Sequence, residues 1–383
     1  LLLVPVAEEF KNQNSTLNVI GKLFYLASRA KETVAMLAPI GVAALGALVG
    51  WAYLALKPPP PKNCGSPGGP PVTSPRIKLN DGRHLAYKEV GISKEVAKNK
   101  IVIVHGFDSS KDINLPFSQE LIEELQIYFL LFDKPGYGES DPCPTRSVKS
   151  ETFDIEQLAD KLQIGPKFHV IGISLGAYSI WGCLKYIPHR LSGAALVVPM
   201  VNYWWPCFPS NLAKEAFKKL PVRDQWVFRI AYHTPRLFFF WMRQKLFPTL
   251  SMLTGNMSIL GPVDIEVLKK LSETPGVGQE KIRQQGLEES LYRDVLVGYS
   301  KWEFDPLDVE DPFPNTDGSV HIWQGLEDRF IPRELNRYLS ERLPWIQYHE
   351  AANVGHCMLF DDGWLETVLR QLLQRRGSVS PAH

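Results

Sequence analysis

Residues 170–178, VIGISLGAY, place a serine between two glycines in the pattern Gly-x-Ser-x-Gly, formed by Gly172, Ser174 and Gly176. A strand-like run, KFHVIGIS, leads into the serine, and a helix-like run, LGAYSIWGCLKYI, follows it. A serine on a sharp turn between a buried strand and a helix presents its hydroxyl for reaction. Glycines beside it leave room for the adjacent strand and helix. Ser174 is therefore a candidate nucleophile, although a tight turn of small residues would give the same pattern.

A serine hydroxyl needs a general base, and the base needs an acid that orients it. In a strand–turn–helix of this kind the acid and then the histidine follow the serine along the chain, each after a strand. VHIWQGLEDRFIP predicts a strand and then a loop with Glu327 and Asp328, and YHEAANVGHCMLF predicts the last strand and then a loop with His356. We predict Asp328 as the acid, Glu327 as the second choice, and His356 as the base. The alternatives are an ordinary surface acid and a structural loop histidine.

An earlier loop, VHGFDSS at 104–110, also follows a predicted strand. The backbone N–H groups of Phe107 and Leu175 would form an oxyanion hole, in which each donor contributes about 3 kcal/mol. The pair His105 and Gly106 supports this prediction, although it could also be a plain turn at a strand end. Together these groups predict acyl transfer from an ester, thioester or amide through an acyl-enzyme.

From residue 76 onward, strand-like and helix-like segments alternate. RIKLNDGRHLAYKEVG predicts a hairpin, and the later strands are continuous apolar runs such as KIVIVHGF. This alternation predicts an α/β fold, a mostly parallel sheet with helices on both faces. Residues 202–315 break the rhythm and predict a helical cap rich in aromatic residues, as in YWWPCF and RLFFFWMRQKLF. Those aromatic residues favour an apolar or lipid-like substrate, or else they form the core of the cap.

The N-terminal part has a different composition. Residues 33–56 contain no charged residue and predict a transmembrane helix, with a buried helix of a soluble core as the alternative. Within 1–32, the stretch 17–31 has an amphipathic pattern, and the proline-rich residues 57–75 predict a semi-rigid linker. The catalytic domain is predicted at 76–375, with a tail at 376–383. The sequence therefore predicts a single-pass membrane protein. Its orientation and compartment are open, and an endomembrane such as the endoplasmic reticulum is the working hypothesis.

Composition and charge exclude several classes of binding partner. The 383 residues have a formal net charge of +1, which argues against a nucleic-acid binder. The five cysteines are scattered and form no Cys-x-x-Cys pair, so neither a disulfide framework nor a structural zinc site is expected. No metal or organic cofactor is predicted, because the sequence has no phosphate-binding loop or metal-ligand spacing. The expected partners are a small ester or lipid-like substrate and a membrane at 33–56, and the oligomeric state is open.

The motifs taken together resemble the α/β-hydrolase superfamily. The resemblance rests on HG at 105–106, DKPGYGESD at 133–141, GISLG at 172–176, GLEDRFIP at 325–332 and GH at 355–356, and it covers roughly 76–375. With its hydrophobic N-terminal segment and the opening LNDGRHLAYKEVG, the chain is similar to membrane-anchored plant members of uncharacterised activity. The resemblance implies an eight-stranded sheet, a Ser174–Asp328–His356 triad and a cap after the sixth strand.

This sequence lacks motifs that are typical of several branches of the family, which excludes some of the reactions known for the fold. Epoxide hydrolases and haloalkane dehalogenases of this fold have an aspartate at the position of Ser174, and the HGGG loop of one lipase branch is absent. Asp108 would oppose an oxyanion unless it points away or is paired. We therefore expect a carboxylic ester hydrolase. An acyltransferase on the same triad and a non-catalytic receptor that retains the triad remain open.

Overall fold

The computed structural model describes residues 5–247, 249–254, 259–273, 278–361 and 363–374. They form two compact units, a helical one that ends at Lys57 and a larger one that starts at Pro58. The predicted tail at 376–383 lies outside the described residues.

The first unit is one long helix, α1 (Pro5–Leu56). Its segment Gly21–Leu54 has 34 residues, and the most apolar 18-residue stretch within it has a mean hydropathy of 2.0 and no buried residue. Since about 20 apolar residues cross a bilayer, this segment is long enough to do so. It begins earlier than the predicted span at 33–56. The amphipathic stretch 17–31 belongs to the same continuous helix instead of forming a separate one.

The larger unit is built around an eight-stranded sheet with the order β1-β2-β4-β3-β5-β6-β7-β8. Its strands are β1 (Arg76–Lys78), β2 (His84–Gly91), β3 (Asn99–Val104), β4 (Ile127–Phe132), β5 (Phe168–Ile173), β6 (Leu191–Val197), β7 (Val320–Gly325) and β8 (Ile346–Ala351). β1 pairs antiparallel with β2 and β2 antiparallel with β4, and every other pair is parallel. The predicted mostly parallel sheet of eight strands is confirmed.

Helices accompany the strands on both sides of the sheet. They are α2 (Gln119–Glu124), α3 (Val148–Lys161), α4 (Ala177–Tyr186), α5 (Ser210–Lys218), α6 (Val222–His233), α7 (Phe238–Arg243), α8 (Pro262–Ser272), α9 (Gln279–Ile282), α10 (Arg293–Tyr299), α11 (Arg333–Arg342) and α12 (Trp364–Leu372). On β3, Val102 and Val104 belong to one apolar cluster and Ile101 and Ile103 to the other. Because strand side chains alternate between faces, these clusters are the cores on the two faces of the sheet.

Parallel strands bring their carboxyl ends to one edge of the sheet, and the loops that follow them meet there. β3, β5, β7 and β8 end at Val104, Ile173, Gly325 and Ala351, just before the loops with the predicted site residues. Helices α5–α10 lie between β6 and β7, and we call residues 202–315 the insertion. Part of its aromatic content is core, since the Phe228 ring stacks on Tyr299 with centroids 3.9 Å apart.

The proline-rich segment differs from a free tether. The Lys62 N–H donates to the carbonyl of Gln285 at 3.1 Å, and the Cys64 N–H donates to the side-chain oxygen of the same glutamine at 3.1 Å. Further along, the Thr73 N–H donates to the Glu139 carboxylate at 2.7 Å. These contacts join the segment to the folded unit, which therefore begins before residue 76. Proline spacing alone could not indicate them, because the partners are distant in sequence.

Candidate active site

Ser174 begins the turn between the end of β5 and the start of α4. Its backbone φ is 51°, in the left-handed region that residues other than glycine rarely adopt. Surrounding structure must hold this conformation, and strain of this kind is concentrated at functional sites. The arrangement is the strand–turn–helix that the sequence predicts for a reactive serine.

The glycines of the motif are required by close approach. A Cβ on Gly176 would lie 2.5 Å from the carbonyl oxygen of Val104 and 2.6 Å from that of His105. On Gly172 it would lie 2.9 Å from the carbonyl oxygen of Gly176. Real Cβ contacts are longer than this, so a larger residue at either position would displace the turn.

His356 and Asp328 reach the serine from the loops after β8 and β7. His356 Nε2 lies 2.8 Å from Ser174 Oγ, and His356 Nδ1 lies 2.9 Å from Asp328 Oδ2. The second carboxylate oxygen accepts the backbone N–H groups of Phe330 at 2.8 Å and Ile331 at 2.9 Å. A carboxylate at Nδ1 favours the tautomer that carries its proton there. Nε2 can then accept the hydroxyl proton.

The structure separates the two candidate acids. Asp328 has a fully buried side chain against the histidine, whereas Glu327 is exposed to solvent. The loop turns back on itself at this point, since the Asp328 carboxylate binds backbone N–H groups two and three residues further on. Only one of two adjacent side chains can point inward from such a loop.

The two histidines near the serine have opposite electrostatic surroundings. Burial opposes protonation of His356, but the negative charges of Asp328 and Asp264 outweigh burial and raise its pKa above the usual value. Burial and the positive charge of Lys134 lower the pKa of His105 to about 3. His105 is therefore neutral and poorly suited to accept a proton, whereas His356 has the basicity that a general base needs.

His105 instead orients the loop that contains Phe107. Its Nε2 accepts the backbone N–H of Lys134 at 3.1 Å, so the proton resides on Nδ1 and is donated to the carbonyl of Gly106 at 2.8 Å. That carbonyl and the N–H of Phe107 belong to the same planar peptide unit. The histidine thereby fixes the direction of the N–H group predicted for the oxyanion hole.

An apolar cavity of about 20 Å³ adjoins the serine. Its lining consists of Phe107, Ser174, Leu175, Met200, Phe228, Leu250, Met252, Val295, Tyr299 and Phe330. The volume suits about one water molecule, so an acyl group can enter only when a lining side chain moves. Ser174 lines neither of two larger clefts on the described residues, of about 380 and 640 Å³. The smaller of the two is next to the site, because Asp328 and Phe330 line it.

The sequence profile of the alpha/beta hydrolase family matches residues 101–368. The chain belongs to the alpha/beta hydrolase family. A segment of 82 residues is also 34% identical to the thiohydrolase aneE of Aspergillus aculeatus. That match covers 21% of this chain and only 25% of the relative.

Solved structures agree with this alpha/beta hydrolase in fold. An esterase from Thermogutta terrifontis is 18% identical, with a TM-score of 0.51, and the alignment covers 78% of this chain and 97% of the esterase. A hydrolase from Pseudomonas aeruginosa PA01 is 15% identical with a TM-score of 0.52, and the alignment covers 78% and 97% of the two chains. At such low identity these similarities establish the architecture alone.

Asp108, which the sequence marks as a charge opposed to an oxyanion, is paired in this hydrolase. Its carboxylate accepts a hydrogen bond from Arg283 Nε at 2.7 Å and a second from Arg283 Nη2. Arg283 follows α9 of the insertion. The ion pair neutralises the carboxylate and connects the Phe107 loop to the insertion.

Asp264, on the first turn of α8, was not predicted from the sequence. One carboxylate oxygen accepts the Cys357 N–H at 2.8 Å, and the other accepts the Gly261 N–H at 3.3 Å. The aspartate is 1% exposed. A Cβ on Gly355 would overlap the carboxylate of Asp264, so only glycine at this position leaves room for the aspartate. The insertion thus binds the loop of His356 through one hydrogen bond at Cys357 and packs against it at Gly355.

A buried ionic cluster also joins the insertion to the sheet. Asp294 of α10 accepts hydrogen bonds from Lys134 Nζ at 2.7 Å, Arg146 Nη2 at 2.6 Å, Tyr137 OH at 2.8 Å and Tyr178 OH at 2.7 Å. Tyr178 lies on α4, four residues after Ser174. The motif DKPGYG marks Lys134 and Tyr137 in the sequence, but nothing local identifies their partner.

Within the described ranges, no group of three or more histidine, cysteine, aspartate or glutamate side chains is placed to hold a metal ion. The cysteine beside the base, Cys357, is a poor nucleophile, because burial and then the charge of Asp264 raise the pKa of its thiol to about 12. The Ser174 hydroxyl, in contrast, lies within hydrogen-bond distance of His356 Nε2, at 2.8 Å.

Proposed function

We propose that this chain is a serine hydrolase that cleaves carboxylic esters with an apolar acyl group. The observation that carries the proposal is the hydrogen-bonded chain from Ser174 Oγ through His356 to Asp328, beside an apolar cavity. A neutral imidazole between a serine hydroxyl and a buried carboxylate is the arrangement that makes serine nucleophilic at neutral pH.

In the first half of the reaction, Ser174 Oγ attacks the ester carbonyl carbon while His356 Nε2 takes the hydroxyl proton. The carbonyl oxygen gains negative charge and is stabilised by the N–H groups of Phe107 and Leu175. When the tetrahedral intermediate collapses, the bond to the alcohol oxygen breaks, and His356 gives that oxygen its proton. The alcohol leaves, and the acyl group remains on the serine as an ester.

In the second half, water replaces the alcohol. His356 takes one water proton as the water oxygen attacks the acyl carbon, and the same N–H groups stabilise the second oxyanion. Collapse releases the carboxylic acid and returns the proton to Ser174 Oγ. Asp328 stays ionised throughout, and its charge stabilises the imidazolium that forms in each half.

The cavity supports an apolar acyl group, because its lining is mainly aliphatic and aromatic side chains. Once a lining side chain moves, an apolar acyl group would bury its surface against these residues, at about 25 cal/mol per Å². A thioester is the second candidate, favoured by the similarity of 82 residues to a protein named as a thiohydrolase. The same serine chemistry applies, with a thiol as the leaving group.

A fluorophosphonate probe tests the proposal on the full chain. We expect covalent labelling that peptide mass spectrometry maps to Ser174, and hydrolysis of p-nitrophenyl esters and acyl thioesters. Product analysis with added alcohols distinguishes a hydrolase from an acyltransferase, because an acyltransferase would form the new ester in preference to the acid. Folded protein that is neither labelled nor active would contradict the proposal and favour a ligand-binding receptor.

The pH dependence should report His356 and its surroundings. Because His356 must be neutral to accept the proton and its pKa is raised, kcat/KM should fall on acidification with a midpoint above about 6.5. Asp264→Asn removes one of the charges that raise this pKa. The acid limb should then move to lower pH by about half a pH unit, measured with a p-nitrophenyl ester.

Asp224→Asn is the matched control for this shift. Asp224 is another buried aspartate of the insertion, and its carboxylate likewise accepts a backbone N–H, that of Ser251 at 2.7 Å. It is not among the charges that act on His356. Its replacement should leave the limb in place. If Asp264→Asn lowers kcat without moving the limb, the aspartate has a structural role only.

A further inference from the structure

The outer surface of the insertion exposes an unusual number of large apolar side chains. Leu246 is 88% exposed and Val222 is 67% exposed. We define the apolar surface of the insertion by seven residues: Val222, Trp226, Leu237, Phe240, Leu246, Phe247 and Met252. Exposed apolar residues are ordinary when scattered, whereas a contiguous group indicates an interaction site.

Ring contacts and helix geometry show that members of this group are neighbours. Trp226 stacks on Trp241 with centroids 6.3 Å apart, and Trp241 stacks on Phe247 with centroids 5.1 Å apart. Val222 and Trp226 are four residues apart on α6 and therefore lie on the same side of the helix. The opposite side of α6 is already buried, at Val227 and Phe228 for example. The exposed side thus has no function in the core.

The charges of the same segment are almost all positive. Between residues 222 and 247 the cations are Arg223, Arg229, Arg236, Arg243 and Lys245, and Asp224 is the sole acid. Asp224 is buried and accepts the Ser251 N–H, whereas Arg236 and Lys245 are exposed. The whole chain has a net charge of only +1, so the concentration of cations is local. Apolar side chains with cations beside them suit the interface of an anionic bilayer.

This surface is continuous with the wall of the serine cavity. Leu250 and Met252 line the cavity together with Ser174, and they follow Leu246 and Phe247 closely along the chain. Met252 is 36% exposed, the largest exposure among the lining residues, so it faces both the cavity and the outside. A movement of this side chain would open the cavity at the apolar surface.

We propose that the apolar surface of the insertion docks onto an anionic lipid bilayer and that the substrate of Ser174 enters from the lipid phase past Met252. The membrane contact does not depend on the proposed function. The entry route rests on the proposed function. The candidate membrane span ends at Leu54, and the folded unit starts at Pro58. A bilayer crossed by that span is therefore only a few residues away along the chain.

Depth measurements on the full chain test the membrane contact without any enzyme assay. The chain is reconstituted into phosphatidylcholine vesicles with phosphatidylserine, and an environment-sensitive fluorophore is attached at Leu246→Cys or at Val96→Cys. Val96 is the matched control, because it is 67% exposed and precedes β3, at the amino ends of the parallel strands. Lipids brominated in the acyl chains should quench the label at 246 at least about twofold more than the label at 96.

Two results would overturn the docking. Equal quenching at both positions would mean that no particular surface faces the bilayer. An apolar environment at 246 without quenching by brominated lipid would mean that protein covers the surface, either a second copy or another part of the chain. Omitting phosphatidylserine should reduce quenching at 246, because the cations would lose their counter-charges.

The entry route is tested with the double variant Val222→Ser/Leu246→Ser, neither residue of which lines the cavity. We expect about fivefold or greater loss of turnover of a long-chain ester dispersed in the vesicles, with turnover of a water-soluble short ester unchanged. Val96→Ser should change neither rate. Equal losses on both esters would refute the route. Wild-type protein without esterase activity would refute the proposed function instead, and the quenching result would still stand.

Discussion

Replacing Ser174 with alanine should lower kcat for a p-nitrophenyl ester by about four orders of magnitude or more. The variant loses the hydroxyl oxygen that lies 2.8 Å from His356 Nε2, the atom on which the proposed acyl-enzyme forms. Alanine is smaller than serine and leaves the turn intact, so the thermal unfolding midpoint should change little. Steady-state kinetics and a fluorophosphonate labelling gel provide the two measurements.

Matched variants show whether the three side chains act as one unit. His356→Ala should be about as damaging as Ser174→Ala, and the double variant should be no worse than either, because each step needs both groups. Asp328→Asn preserves shape but favours the wrong tautomer of His356, and it should cost about 10³- to 10⁴-fold. Ser210→Ala, at an exposed serine on α5, is the control and should retain full activity. Additive losses would contradict a common mechanism.

The parts of the site that the sequence predicts are those with local signals. Ser174 sits in a motif whose strand and helix are adjacent in the chain, and His356 follows the last strand in a recognisable loop. The choice between Glu327 and Asp328 depends on which side chain turns inward. Backbone N–H groups at 330 and 331 determine that, and they bind Asp328. Residue type alone could not decide between two neighbouring acids.

The insertion supplies the contacts that the sequence could not predict. Asp264 meets Cys357 across 93 positions, Arg283 meets Asp108 across 175, and Asp294 meets Lys134 across 160. No periodicity connects residues so far apart, because the path of the insertion decides which of its charges face the site. All three contacts hold the insertion against the rest of the folded unit. The insertion therefore contributes to positioning the loops that contain Phe107 and His356 as well as to lining the cavity.

Of these three contacts, the Asp294 cluster should matter most for folding. Its carboxylate is fully buried and accepts from two cations and two phenols. Burial alone would raise the pKa of Asp294, but the charges of Lys134 and Arg146 outweigh burial and lower it. Asp294→Asn would leave the two buried cations, Lys134 and Arg146, with a single carboxylate beside them, that of Glu151 at 3.5 Å from Arg146 Nε. Breaking a buried pair in this way costs about 3–5 kcal/mol, so the thermal unfolding midpoint should fall by on the order of 10 °C.

The pH dependence distinguishes lost charge pairing from lost packing. A carboxylate with a lowered pKa stabilises the fold at every pH above its unfolded value and loses that contribution as the pH falls through the lower folded value. The gap between wild type and Asp294→Asn should therefore be constant from neutral pH down to about pH 4 and close only below it. Asp317→Asn is the matched control, because Asp317 pairs with Lys167 at 3.1 Å on the exposed surface, where ion pairs contribute less than about 1 kcal/mol. If both variants lower the midpoint equally, the buried charges do not hold the insertion, and its attachment must come from the aromatic core.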